Sequence, residues 1–267
     1  MTTKLQFKGF INTPNLWQGN AIFGMDQLEL PKMQAEFHNK DLNPKLRLGK
    51  LVENFVFEVL NQSESTIIIA ENIQIRKEKI SIGEIDCILQ LSNKIIHLEI
   101  VYKFYLYDEN IKGNELKKWI GPNRKDDLIY KLTKLKDKQL PILYKKETKD
   151  ELHHLKLDYK NILQKVVFKA QLFVPRSKLS NTFNSVNNDC IVGFYINYSC
   201  LEDLKHNEFF IPKKRDWLTE PQIGIEWLSY SQFDGEVKTF IKEQRSPMCW
   251  LKNQKNILQK FFVVWWK

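Results

Sequence analysis

The sequence predicts an α/β fold, a mixed sheet with flanking helices. Three observations predict it: an amphipathic helical pattern, three successive β-rich segments, and a second helical pattern followed by a further strand, in that order along the chain. The helix–strand order defines a core over 45–175. Residues 1–44 read as an N-terminal arm packed on it, and 176–267 as a C-terminal extension packed on it.

The first confident element starts after Pro44. Leu46, Leu48, Leu51, Val52, Phe55, Val59 and Leu60 recur at helical spacing, so a helix is expected from about 45 to 61, with Glu53 flanking its apolar stripe. Segments 66–75, 79–91 and 94–107 are rich in β-branched residues, and Ser92–Asn93 marks a hairpin turn between the last two. After the Gly121–Pro122–Asn123 breaker, 124–140 reads as a helix with Leu128, Leu132 and Leu135 on one face, ended by Pro141. A charged linker over 145–160 leads to a strand over 166–174, then strands near 191–198 and 208–211 and a helix near 231–242. In the arm, Leu16, Trp17, Phe23 and Leu28 are the expected anchors.

The chain of 267 residues is 43% hydrophobic and 27% charged, which excludes disordered, collagen-like and coiled-coil classes. Four cysteines lie far apart without a CxxC pair, so neither a zinc knuckle nor a disulfide framework is expected. With no long apolar run, the expectation is a cytoplasmic protein with no membrane partner. The formal charge of +9 permits an acidic partner such as nucleic acid. Only six of the 41 cations are Arg, so a bias towards Lys codons is an alternative source of the charge. The excess is nonetheless local: between Lys112 and Asp150 twelve cations face six acids. Lys131, Lys134 and Lys138 recur at helical spacing there and, with Arg124, are the candidate nucleic-acid-binding residues, gripping phosphates without reading sequence. A solvated helix face explains the same spacing. Trp119, beside Arg124, is a candidate base-stacking residue.

Alternation places Glu84 and Asp86 on one face of the second strand, and His97, Glu99, Val101 and Lys103 on one face of the third. Ionisable rows within apolar sequence must be paired, solvated in a cleft, or occupied by a metal, because burying an isolated charge is costly. Carboxylates on both strands, with Glu53 on the preceding helix, are the oxygen ligands a hard cation takes. The competing reading is a half-exposed hairpin with Glu–Lys cross-strand pairs.

The helix Glu, Gly-Glu-Ile-Asp in a hairpin, and a Glu and Lys on the next strand resemble the PD-(D/E)XK nuclease superfamily. GEIDCILQLSNKIIHLEIVYKFYLY, WIGPNRKDDLIYKLTKLKDKQLPIL, VVFKAQLFVP and FFIPKKRDWL are together similar to the bacterial "domain of unknown function 1853" family, over about residues 48–218. The resemblance implies a restriction-endonuclease-like core with Mg, or Mn, held by Glu53, Asp86 and Glu99. Asp86, Glu99 and Lys103 would be catalytic, the lysine orienting water and stabilising charge. Glu84 and His97 would support the ligands from behind; for His97 the alternatives are a further ligand, a proton shuttle, or a hydrogen-bonding partner of the carboxylate. The implied activity is Mg-dependent phosphodiester hydrolysis on DNA or RNA. The alternative is a degenerate fold that binds nucleic acid, or acts as a scaffold, without cutting. One departure from the motif favours that alternative: Val101 stands where Glu-x-Lys wants the lysine, and Lys103 lies two residues further, a displacement of about 6.6 Å along a strand.

Overall fold

The computed structural model describes residues 1–19, 21–31, 37–38, 42–43 and 45–266. Pro44, the expected start signal of the first core helix, lies outside them. In chain order the elements are α1 (Thr3–Asn12), α2 (Leu48–Asn61), β1 (Thr66–Lys77), β2 (Ile80–Leu91), β3 (Lys94–Tyr107), β4 (Trp119–Ile120), α3 (Leu128–Lys134), α4 (Lys146–His154), β5 (Ile162–Pro175), β6 (Ile191–Asn197), β7 (Glu208–Phe210), α5 (Tyr230–Lys242), β8 (Met248–Lys252) and β9 (Leu258–Val264). The fold is α/β with a nine-stranded mixed sheet in the order β1-β2-β3-β5-β6-β9-β8-β7, and β4 paired to β3. The pairs β1/β2, β2/β3, β7/β8 and β8/β9 are antiparallel, whereas β5/β6 and β6/β9 are parallel.

The chain divides into two compact units, neither contiguous in sequence: 1–14 with 103–129 and 170–267, and 15–102 with 130–169. The second unit contains α2, β1, β2 and residues 94–102 of β3. Helix α2 forms because Leu51, Val52, Phe55, Val56, Val59 and Leu60 fall on one stripe, and all are buried. Ser92 takes a left-handed conformation (φ 54°) in the tight turn between β2 and β3. In the arm, Leu16, Trp17 and Leu28 are buried as expected, with Trp17 edge-on to Phe168. Phe23 is not an anchor: it is 40% exposed, its ring under the Lys136 ammonium.

The expected helix over 124–140 is shorter and ends differently. Residues 121–127 form a turn in which the Arg124 amide donates to the Gly121 carbonyl and the Gly121 amide to the Asp126 carbonyl, each at 2.8 Å. A side chain at 121 would overlap the Asp126 carboxylate, so the turn requires glycine. Helix α3 then gives way to a π-helical turn over Leu135–Gln139 and a 3-10 turn over Leu140–Tyr144. Pro141, which lacks an amide proton, sits in the 3-10 turn. The charged stretch read as a linker carries α4, docked by Leu152 and by the Thr148 hydroxyl, which donates to the Ile142 carbonyl at 2.6 Å.

In the other unit, α1 packs so closely that a Cβ on Gly9 would meet the Leu218 carbonyl oxygen at 1.9 Å. The core around β6, β8, β9 and α5 is aromatic, with Phe209 stacked on Phe233 at 4.3 Å. Lys260, buried on β9, donates to Gln171 Oε1 at 3.2 Å and Glu220 Oε1 at 3.0 Å, which answers the cost of burying its charge. No helix among the described residues is long and apolar enough to cross a membrane.

Candidate functional site

Within the second unit, α2 and β2 meet the turn after α3 around a cleft of about 540 Å³ whose lining includes Lys50, Glu53, Glu84, Asp86, Lys134 and Lys138. Three of these are predicted carboxylates or their supports and two are predicted phosphate-binding lysines. The cleft therefore opposes acids from α2 and β2 to ammonium groups from the basic segment.

Strand geometry places the acids. The β2/β3 ladder runs from Leu91↔Lys94 to Cys87↔Leu98. Beyond it the Ile100 amide donates to Asp86 Oδ2 at 2.8 Å, so the Asp86 side chain takes a bond that a backbone carbonyl takes in a ladder. Burial, joined by the charge of Glu99, pushes the Asp86 carboxyl up to about 7, against the pull of the Ile100 amide. Burial likewise raises Glu53 to about 6, the Lys50 bond opposing and the charges of Asp86 and Glu84 adding to it. Cys87 points to the opposite face and is buried in the core.

Glu99 and His97 lie side by side, fully buried, with His97 Nε2 3.0 Å from Glu99 Oε1. Gln164 fixes the tautomer. Its amide nitrogen donates to the Leu140 carbonyl and also faces His97 Nδ1 at 3.2 Å, so Nδ1 accepts and Nε2 carries the proton to Glu99. On the other side Gln139 Nε2 donates to Glu99 Oε2 at 2.6 Å, while Gln139 Oε1 accepts from Lys131 at 2.7 Å. Every donor in this chain points towards Glu99. Burial raises the Glu99 carboxyl to about 8, against the charge of Lys131, the Asp86 backbone and the Gln139 amide. Burial holds His97 down to about 4, so it is neutral at neutral pH. The histidine is thus a hydrogen-bonding partner of the carboxylate in this structure.

Lys50 bridges Glu53 and Glu84 at 2.7 Å each and donates to Asn72 Oδ1 at 2.7 Å. Burial works to lower its pKa, and the hydrogen bonds and charges of the two glutamates outweigh it, leaving a net rise. Asn72 holds a left-handed conformation (φ 53°) inside β1, which Asn tolerates better than most residues.

Lys103 lies in the other unit, its ammonium 2.5 Å from Asp126 Oδ2. Arg124 in that unit pairs with the buried Asp108 at 2.7 Å and lies over the Trp266 ring. Trp119 is fully buried against Tyr107 and Phe183, so it does not present a face on which a base could stack. Lys134 and Lys138 are exposed, whereas Lys131 is half-buried and engaged with Gln139.

The donor set is of the kind a hard cation takes. No group of three or more His, Cys, Asp and Glu side chains among the described residues is arranged to hold a metal ion, so Glu53, Asp86 and Glu99 do not form a closed trio. Mg²⁺ commonly takes only one or two protein carboxylates, with water and phosphate oxygens completing its shell; Glu53, Glu84 and Asp86 are the carboxylates that line the cleft, whereas Glu99 lies buried behind it. Lys50, Asn72, Gln139 and Gln164 were not singled out by the sequence. For Lys50 the spacing to Glu53 was an available signal, but the π turn that directs Gln139 to Glu99 carries none.

The structure therefore defines an α/β protein whose cleft sets half-buried carboxylates against lysines. The chain belongs to the family described as Domain of unknown function (DUF1853), whose model matches residues 11–264. Neither the curated proteins nor the solved structures contain a match to the chain.

Proposed function

We propose that this protein binds nucleic acid through Lys134 and Lys138 and hydrolyses phosphodiester bonds in the cleft with Mg²⁺ or Mn²⁺. The observation that carries this reading is the cleft itself, which gathers Glu53, Glu84 and Asp86 opposite two exposed lysines of the basic segment. The resemblance to PD-(D/E)XK nucleases supports it through Asp86 and Glu99 on adjacent strands. A bound divalent ion would neutralise charge on the scissile phosphate and acidify a coordinated water. Asp86 and Glu53 would hold that ion, with Glu99 held in place by His97 and Gln139. Lys134 and Lys138 would grip flanking phosphates. Lys131, whose charge reaches both Asp86 and Glu99, takes the electrostatic part that the motif gives to a strand lysine.

A second reading, a protein of the same fold that binds nucleic acid without cutting it, is favoured by two observations. Lys50 already pairs with both Glu53 and Glu84, and both Glu99 oxygens already accept hydrogen bonds. One assay divides the two: DNA and RNA substrates, single- and double-stranded, with Mn²⁺, for the wild type and Asp86→Asn. Cleavage by the wild type alone supports hydrolysis. Binding without cleavage by either protein selects the second reading, and equal cleavage by both contradicts the assignment of Asp86.

Replacing Lys134 and Lys138 together by Ala weakens binding similarly across sequences. The slope of log K against log salt falls by about 1.4 for a single strand or about 1.8 for a duplex if each lysine meets one phosphate. Fluorescence anisotropy over a salt series measures it, and an unchanged slope places the nucleic acid elsewhere.

A further inference from the structure

The Lys50 ammonium lies in a cradle of three oxygens, Glu53 Oε2, Glu84 Oε1 and Asn72 Oδ1, each at 2.7 Å. They come from α2, β2 and β1, so the tertiary fold builds the cradle. An ammonium group has three N–H donors and a compact charge, and each oxygen meets one donor. Two carboxylates and an amide oxygen are also the hard ligands that a divalent cation takes. Glu84 is further held by the Gln74 amide, which keeps one wall of the cradle in place.

We propose that the Lys50 ammonium fills one of two cation positions in the cleft, so that the native protein accepts a divalent ion only at the Asp86 end. The occupied Asp86 end rests on the reading given under Proposed function, whereas the cradle of Lys50 stands on its own geometry. Lys50 would then fix the number of metal ions at the site. Without its charge, Glu53 and Glu84 face each other across an open cradle that has lost the ammonium joining them. Their repulsion and their oxygens then favour a divalent ion in the vacated position.

The test counts Mn²⁺ bound to the full chain, by electron paramagnetic resonance of free Mn²⁺ during titration at neutral pH without nucleic acid. Lys50→Met is expected to bind one Mn²⁺ more than the wild type, and Lys50→Arg the same number as the wild type. Adding Glu84→Gln to Lys50→Met removes the extra ion. The Lys50 side chain is 43% exposed, and Lys50→Gln gives an independent reading should Lys50→Met fold poorly. Equal counts in the wild type and the uncharged variants overturn the proposal. A wild type that binds no Mn²⁺ contradicts the metal reading of the Asp86 end, and the difference between wild type and Lys50→Met still decides the role of Lys50.

Discussion

At about pH 9, where Glu99 is ionised, Glu99→Ala lowers the stability of the folded protein by about 2–5 kcal/mol, the range for truncating a large buried side chain. Three losses combine. The His97 Nε2 proton and the Gln139 amide lose their acceptor in a site where both Glu99 and His97 are fully buried, and a cavity replaces the side chain. Glu99→Gln is also destabilising, by about 1–3 kcal/mol, because its amide group sets a donor against a donor. Flipping Gln139 to accommodate it would turn an amide donor towards Lys131, and turning His97 to its other tautomer would oppose Gln164. Urea denaturation measures both variants. A loss below about 1 kcal/mol for Glu99→Ala would mean that this chain of hydrogen bonds contributes little.

Without divalent ions, the stability of the wild type falls between about pH 6.5 and 8.5 by about 1–3 kcal/mol. Asp86 and Glu99 titrate near 7 and 8 in the folded state, above the ordinary range of an unfolded chain. The folded protein therefore binds more protons in this window than the unfolded one, and raising the pH favours unfolding. His97 works the other way: with its pKa lowered to about 4, its own contribution to stability rises with pH from about 4 to 6.5. Between about pH 4 and 6.5 that rise offsets only part of the fall the two raised carboxyls already cause, and above 6.5 the carboxyls act alone. Asp86→Asn flattens the fall, since it removes one of the titrating groups. Thermal melts across the window check both statements, and a wild-type stability that rises from pH 6.5 to 8.5 would contradict the buried acidic pair.

Much of this site was legible before the fold was known. Alternation placed Glu84 and Asp86 on one strand face and His97 and Glu99 on the next, and helical spacing placed Glu53 at the flank of the apolar stripe of α2. These patterns are local, with periods of two and 3.6 residues, and local spacing is what a sequence records most directly. The meander was legible for the same reason: β1, β2 and β3 follow the expected segments closely, and the turn at Ser92 joins the last two. The partners were not legible. Gln139 reaches Glu99 through a π turn, and Gln164 reaches His97 from a strand 67 residues away. Neither contact has a spacing that could be read along the chain. Lys103 shares a strand face with Glu99, yet its amine pairs with Asp126, whose position depends on the Gly121 turn. Strands β8 and β9 lacked a strong alternation because both faces are largely buried. Helix α1 was obscured by the irregular segment that follows it, although Thr2 caps it and Phe7 and Phe10 are buried.

Asp86 is proposed to help the cleft hold a hard cation. Mn²⁺ affinity of the wild type and Asp86→Asn, measured by calorimetry on protein whose fold is confirmed by circular dichroism, tests it most directly. The wild type is expected to bind Mn²⁺ and the variant to bind it roughly tenfold more weakly or worse. Equal affinity in the two proteins, or no binding by the wild type, would contradict it.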